Sequence, residues 1–115
     1  MKTAGDIWVD ICDNNIYTIK DNYTLDTLTT SITILYPDHQ TRGHAHSNQE
    51  EVYIFHSGSG IMVIDNEMYP TKPGDVFSVR PGIFHRVVND SHDERLEFYC
   101  VFIGNRANKD YNEPG

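Results

Sequence analysis

Cysteine is scarce in this chain. The two residues, Cys12 and Cys100, stand far apart and form no CxxC, which excludes a disulfide scaffold and a cysteine-based zinc framework. Both read as ordinary buried or half-buried thiols. Positive charge is also in short supply: nine Lys and Arg against seventeen Asp and Glu leave a net charge of −8. That balance repels nucleic-acid phosphates and anionic membrane surfaces, so neither is expected as a partner. No apolar run approaches the ~18 residues of a membrane span. The opening MKTAGDIWVDIC lacks the charged and apolar regions of a secretory signal, and a cytoplasmic location is expected. Helical periodicity is missing as well, and neither an internal repeat nor a linker is visible.

What is present is alternation with a period of two, the mark of strands. The runs Ile7–Ile11, Ile16–Ile19, Ser31–Tyr36, Glu51–His56, Gly60–Ile64, Val76–Val79, His85–Val88 and Leu96–Ile103 read as strands. In the first, Ile7, Val9 and Ile11 fall on one face. Turn signals separate the runs: PDHQTRG, SGSG, DNE, PTKPGD, RPG and NDSHDE. Many short strands in 115 residues predict one all-β domain, a barrel or a two-sheet sandwich, over residues 1–103. The polar end, 104–115, is expected to be a loosely held tail. Val52 and Ile54 alternate with Tyr53 and Phe55, so the Glu51–His56 strand is apolar on both faces. Its second face needs a cover, and a homodimer is the simplest one.

Six histidines stand at positions 39, 44, 46, 56, 85 and 92, three of them in RGHAHSNQEEVYIFHSG. In extended chain His44 and His46 share a face, as two imidazoles must to reach one ion. On the following strand Glu51, Tyr53 and Phe55 share one face, and Glu50, Val52, Ile54 and His56 the other. Glu50 and Glu51 therefore cannot both be ligands, and parity alone does not choose between them.

A second cluster, PGDVFSVRPGIFHRVVN, runs from Pro73 to Asn89. A Gly-Asp turn feeds a strand, a Pro-Gly turn reverses the chain, and His85 opens the next strand. Together the two segments resemble the paired motifs of the cupins: Gly43, His44, His46, Glu51 and Gly58 for the first, Gly74, Gly82, His85 and Asn89 for the second. Arg80 stands where the second motif usually has proline, although the step from Gly74 to His85 is kept. The resemblance implies the cupin double-stranded β-helix, a jelly-roll-like barrel. Its six-residue step to Gly58 selects Glu51, implying a site of His44, His46, Glu51 and His85. Three imidazoles and one carboxylate suit a single divalent Fe, Mn, Ni, Co or Zn ion and disfavour calcium and magnesium. His56 is expected outside the site, and His39 and His92 in loops.

If Glu51 points inward, Tyr53 and Phe55 do too, giving a mostly apolar pocket for a small-molecule substrate. Arg42 shares parity with His44 and would set a guanidinium beside the ion unless Gly43 turns it out; Arg86 should point away and Arg80 either way. Within the cupins, TRGHAHSNQEEVYIFHSGSG with LEFYCVF resembles the cupin-type glucose-6-phosphate and mannose-6-phosphate isomerase-like proteins. That likeness implies Tyr53 and Thr41 as pocket residues; parity adds Arg42 and Phe55 as contacts to substrate, and Glu51 and Tyr53 are the expected catalytic residues. Those isomerases are longer chains, and Phe102 stands where a pocket tyrosine is expected. An Fe(II) dioxygenase and a non-catalytic small-molecule-binding cupin are the alternatives.

Overall fold

The structure, a computed structural model, describes residues 7–45 and 48–104. Among these it contains nine strands: β1 (Trp8–Asp13), β2 (Tyr17–Asn22), β3 (Leu28–Leu35), β4 (Glu51–Ser57), β5 (Gly60–Ile64), β6 (Glu67–Thr71), β7 (Val76–Val79), β8 (His85–Val88) and β9 (Leu96–Ile103). No helix among the described residues is long and apolar enough to cross a membrane. The bounds of β5, β7, β8 and β9 are those read from the sequence.

Six strands form one antiparallel sheet in the order β1-β2-β3-β9-β4-β7, and β6-β5-β8 form a second. The segment between β3 and β4 runs beside β8, with isolated bridges Gln40–Val88 and His44–His85. It extends the smaller sheet and carries the chain from one sheet to the other, which is how the barrel closes around its core. Tyr17, Ile19, Leu35, Tyr53, Phe55, Phe98 and Phe102 enter that core from the larger sheet, and Met62 and Val87 from the smaller.

Two departures from the sequence reading have local causes. Strand β6 covers residues read as turn, because EMYPT is exposed up to Thr71 and carries Pro70. It lies at the edge of its sheet, the place where a strand tolerates a proline. The turn before it shrinks to Asp65 and Asn66, with Asp65 at φ 52°, a two-residue hairpin loop. In β1 the register shifts between Asp10 and Cys12. This bulge packs both Ile11 and Cys12 against the core and leaves Val9 exposed, so Ile7, Val9 and Ile11 do not share one face.

The polarity of β3 is inverted. Thr29, Ser31 and Thr33 are buried on its inner face, whereas Ile32 and Ile34 lie half-buried on the other. Asp21, opposite Ser31 on β2, is fully buried. Of the expected tail, only Gly104 falls among the described residues; it is held by its N–H on the Thr27 carbonyl and by the Thr29 hydroxyl on its own carbonyl.

Asn89 follows β8 and is buried. Its side-chain amide donates to the carbonyls of Leu35 at 2.9 Å and Glu94 at 2.8 Å, and its Oδ1 accepts from Ser91 N–H at 3.1 Å. It thereby ties the end of β3 to the loop ahead of β9. Asn89→Ala leaves two carbonyls without these donors, at a cost of about 2–3 kcal/mol. In a thermal melt that is a fall of roughly 10–15 °C. A shift of only a degree or two would mean that water replaces these bonds without loss.

Candidate metal centre

Period-two geometry on β4 turns Glu51, Tyr53 and Phe55 into the barrel and leaves His56 exposed. On β8 the same rule buries His85 and Val87 and turns Arg86 outward, where its Nη1 donates to Gln40 Oε1 at 2.8 Å. Glu51 lies between Phe102 of β9 and Val79 of β7, so its carboxylate starts from a strand paired on both sides in the larger sheet. His85 belongs to the smaller sheet and faces His44 in an antiparallel pair. Each of these two residues donates its backbone N–H to the other's carbonyl, both at 3.0 Å.

The three side chains meet. Nε2 of His44 and Nε2 of His85 each lie 3.1 Å from the same oxygen, Glu51 Oε1. All three residues are buried, and one ligand atom from each lies within 4.8 Å of the others. The imidazole rings of His44 and His85 stand edge to face, 87° apart. His46, the fourth expected ligand, lies outside the described residues.

The protons of this cluster indicate what it is built to hold. His85 Nδ1 lies 2.9 Å from the Ile83 carbonyl, an acceptor, so that nitrogen carries the hydrogen. In the neutral ring, Nε2 is then a lone pair aimed at a carboxylate oxygen. Two acceptors at 3.1 Å need a proton or a metal ion between them. With the proton, Nε2 donates to Glu51. Burial alone would raise the Glu51 carboxyl, but hydrogen bonds from His44, His85 and Cys100 and the attraction of His44 outweigh it and hold the group far below the usual range. With a divalent ion, the same three atoms become ligands. Ligands ~2.1 Å from one ion and at right angles lie ~3.0 Å apart, close to the spacing present here. The donor set fits the transition metals expected from the sequence.

Cys100, read from the sequence as an ordinary buried thiol, belongs to this cluster. It is buried on β9, and its Sγ–H donates to Glu51 Oε2 at 3.0 Å. Nothing in a lone cysteine flags such a role, because the partner comes from another strand nearly fifty residues away.

The expected substrate contacts scatter. Tyr53 is buried with its ring against His85, centroids 5.5 Å apart, so it does adjoin the cluster. Phe55 lies deeper, packed on Phe77 and Phe98 in the core. Thr41 is buried, and its Oγ1 accepts the Val87 N–H at 3.0 Å, binding the crossing segment to β8. Arg42 is exposed although His44 is buried: Gly43 at φ 84° breaks the alternation that would have put both on one face. Arg80 is exposed and lines a groove of about 440 Å³ with Glu50, Val52, Ser78 and Pro81, on the outward side of β4 and β7. His92 lies on the surface, its Nδ1 2.6 Å from Asp38 Oδ1, and His39 is in the same loop region. The inner wall is more polar than the sequence suggested, since Asp21, Thr29, Ser31 and Thr33 all face inward on β2 and β3.

Comparison with known proteins agrees with this architecture. The profile of the family described as Cupin domain matches residues 31–102. A Cupin 2 conserved barrel domain protein from Salinispora arenicola is 28% identical, with a TM-score of 0.67 over 83% of this chain and 80% of its own. An RmlC-like cupin from Shewanella frigidimarina reaches a TM-score of 0.76 at 16% identity, over 90% of each chain. KdgF from Halomonas sp. reaches 0.73 at 17% identity, over 87% of this chain and 89% of its own. At such identities the last two speak to the fold. An uncharacterized protein of Methanocaldococcus jannaschii is 37% identical over 46 residues, which span 40% of this chain and 37% of that protein. With both sheets, both motifs and most of its length accounted for in this way, the chain belongs to the cupin domain family.

Proposed function

We propose that this cupin is a metal-dependent enzyme acting on a sugar phosphate or related carbohydrate, of the isomerase or epimerase type, with His44, His46, Glu51 and His85 as the metal's ligands. The observation that carries the substrate class is the inverted polarity of β3. Thr29, Ser31 and Thr33 inside the barrel, with Asp21 beside them, make a hydrogen-bonding wall. A polyhydroxylated substrate matches the polar character of such a wall.

A divalent ion at the cluster would supply Lewis acidity, worth several kcal/mol to the charge that develops in an aldose–ketose interconversion. The chain's own residues do the rest. Tyr53, whose ring packs on His85, is placed to orient a substrate hydroxyl. Proton transfer needs a base other than a ligand. Asp21 and Glu51 are the two carboxylates buried among the described residues, which leaves Asp21 for that role. Tyr23 OH donates to Asp21 Oδ2 at 2.8 Å and fixes the orientation of its carboxyl. For an anionic substrate group the candidate cations are Arg42 and Arg80, both exposed.

The test is to incubate the metal-loaded protein with aldose and ketose phosphates and follow their interconversion by proton NMR. Arg42→Ala or Arg80→Ala is expected to raise KM about tenfold or more, which identifies the cation that holds the anionic group. Absence of interconversion across the series would sink the isomerase reading. Substrate-dependent oxygen uptake by the iron-loaded protein would replace it with a dioxygenase.

A further inference from the structure

Cys100 sits where the pattern of β9 asks only for an apolar residue: Leu96, Phe98 and Phe102 share its inward face and are all core. In register it lies between Ser31 of β3 and Tyr53 of β4, and its thiol reaches diagonally to Glu51, two residues along β4 from Tyr53. Glu51 thus has its two oxygens in different hands. Oε1 meets both imidazoles at 3.1 Å, while Oε2 accepts the thiol hydrogen at 3.0 Å.

We propose that Cys100 is a positioning residue for the metal centre: its thiol holds Oε2 of Glu51 back, so that the carboxylate presents Oε1 alone to the ion. This rests on the reading of Glu51 as a metal ligand. A carboxylate is equally able to grip an ion with both oxygens, and the group on the non-coordinating oxygen decides between the two modes. One-oxygen binding keeps a coordination position open for a substrate oxygen. Two-oxygen binding would fill it. The donor is weak but well placed, because the thiol is buried and its hydrogen has a charged acceptor in a dry site.

The consequence is separable from packing. Cys100→Ser keeps a donor at nearly the same place, whereas Cys100→Ala and the volume-filling Cys100→Val remove it. The measurement is Co(II) affinity by chelator competition, read together with the visible d–d spectrum of the bound ion, which reports its coordination. Cys100→Ala is expected to weaken Co(II) binding about tenfold or more and to change the spectrum, the size usual for losing a partner of a ligand. Cys100→Ser is expected to stay within about threefold of the parent with its spectrum intact. Should Cys100→Ala not fold, Cys100→Val carries the same expectation. Two results overturn the inference alone: donorless variants matching the parent in affinity and spectrum, or serine behaving like alanine. Failure of the parent protein to bind Co(II) removes the metal reading and the inference together.

Discussion

His85→Ala is expected to lower divalent-metal affinity by at least a hundredfold, measured by chelator competition on the purified protein. Loss of a group that merely orients a ligand costs 10- to 100-fold in typical sites, and His85 supplies a ligand atom directly. Its Nε2 is prepared for that role, because the proton is committed to the Ile83 carbonyl through Nδ1. The stability consequence follows by mass action. An ion present at about a hundred times its dissociation constant stabilises the native state by ~2.7 kcal/mol, which for a domain of this size raises the melting temperature by roughly 10 °C or more. Chelation should therefore lower the melting temperature of the parent protein by that amount and leave His85→Ala nearly unmoved. If the parent melts at the same temperature with and without chelator, while binding metal, the three residues do not work as a native-state site.

Gly58→Ala is expected to cost about 3 kcal/mol or more, a fall of roughly 10–20 °C in the melting temperature. The residue sits at φ 81° between β4 and β5, and a Cβ there would collide with the Arg95 carbonyl oxygen and lie 3.3 Å from the Leu96 Cα. Both obstacles are backbone at the entry to β9 and cannot swing away as a side chain would. Gly82 is the matched control: its φ of 82° is nearly the same, and nothing lies within 4 Å of the added carbon. Gly82→Ala carries only the strain of the left-handed conformation, about 1–2 kcal/mol. Equal melting temperatures for the two variants would show that the close approach of Arg95 is not what demands glycine at position 58.

The architecture was legible in the sequence because strands leave a short-range signature. Alternation is enough to bound β5, β7, β8 and β9, and the same parity puts Glu51 and His56 on opposite faces. The choice of Glu51 over Glu50 came from the motif step to Gly58, and the burial of Glu51 beside His44 and His85 agrees with it. What escaped depends on information that alternation does not carry. The bulge in β1 is a one-residue insertion with no residue type of its own, so Val9 was assigned to the wrong face. Strand β6 is an edge exposed as far as Thr71 and carries a proline, and its letters are those of a loop. The inner wall of β3 inverts the usual rule: the apolar residues Ile32 and Ile34 look outward while threonine and serine look in. Cys100 acquires its meaning from Glu51, a neighbour only after folding.

His44 and His85 begin from backbones clasped to each other by two hydrogen bonds, while Glu51 stands on the opposite sheet. An ion held by all three works as a rivet through two plates. Its binding free energy would then count against any opening that lifts the smaller sheet from the larger, so the seam between the sheets would be the part of the barrel most strengthened by metal.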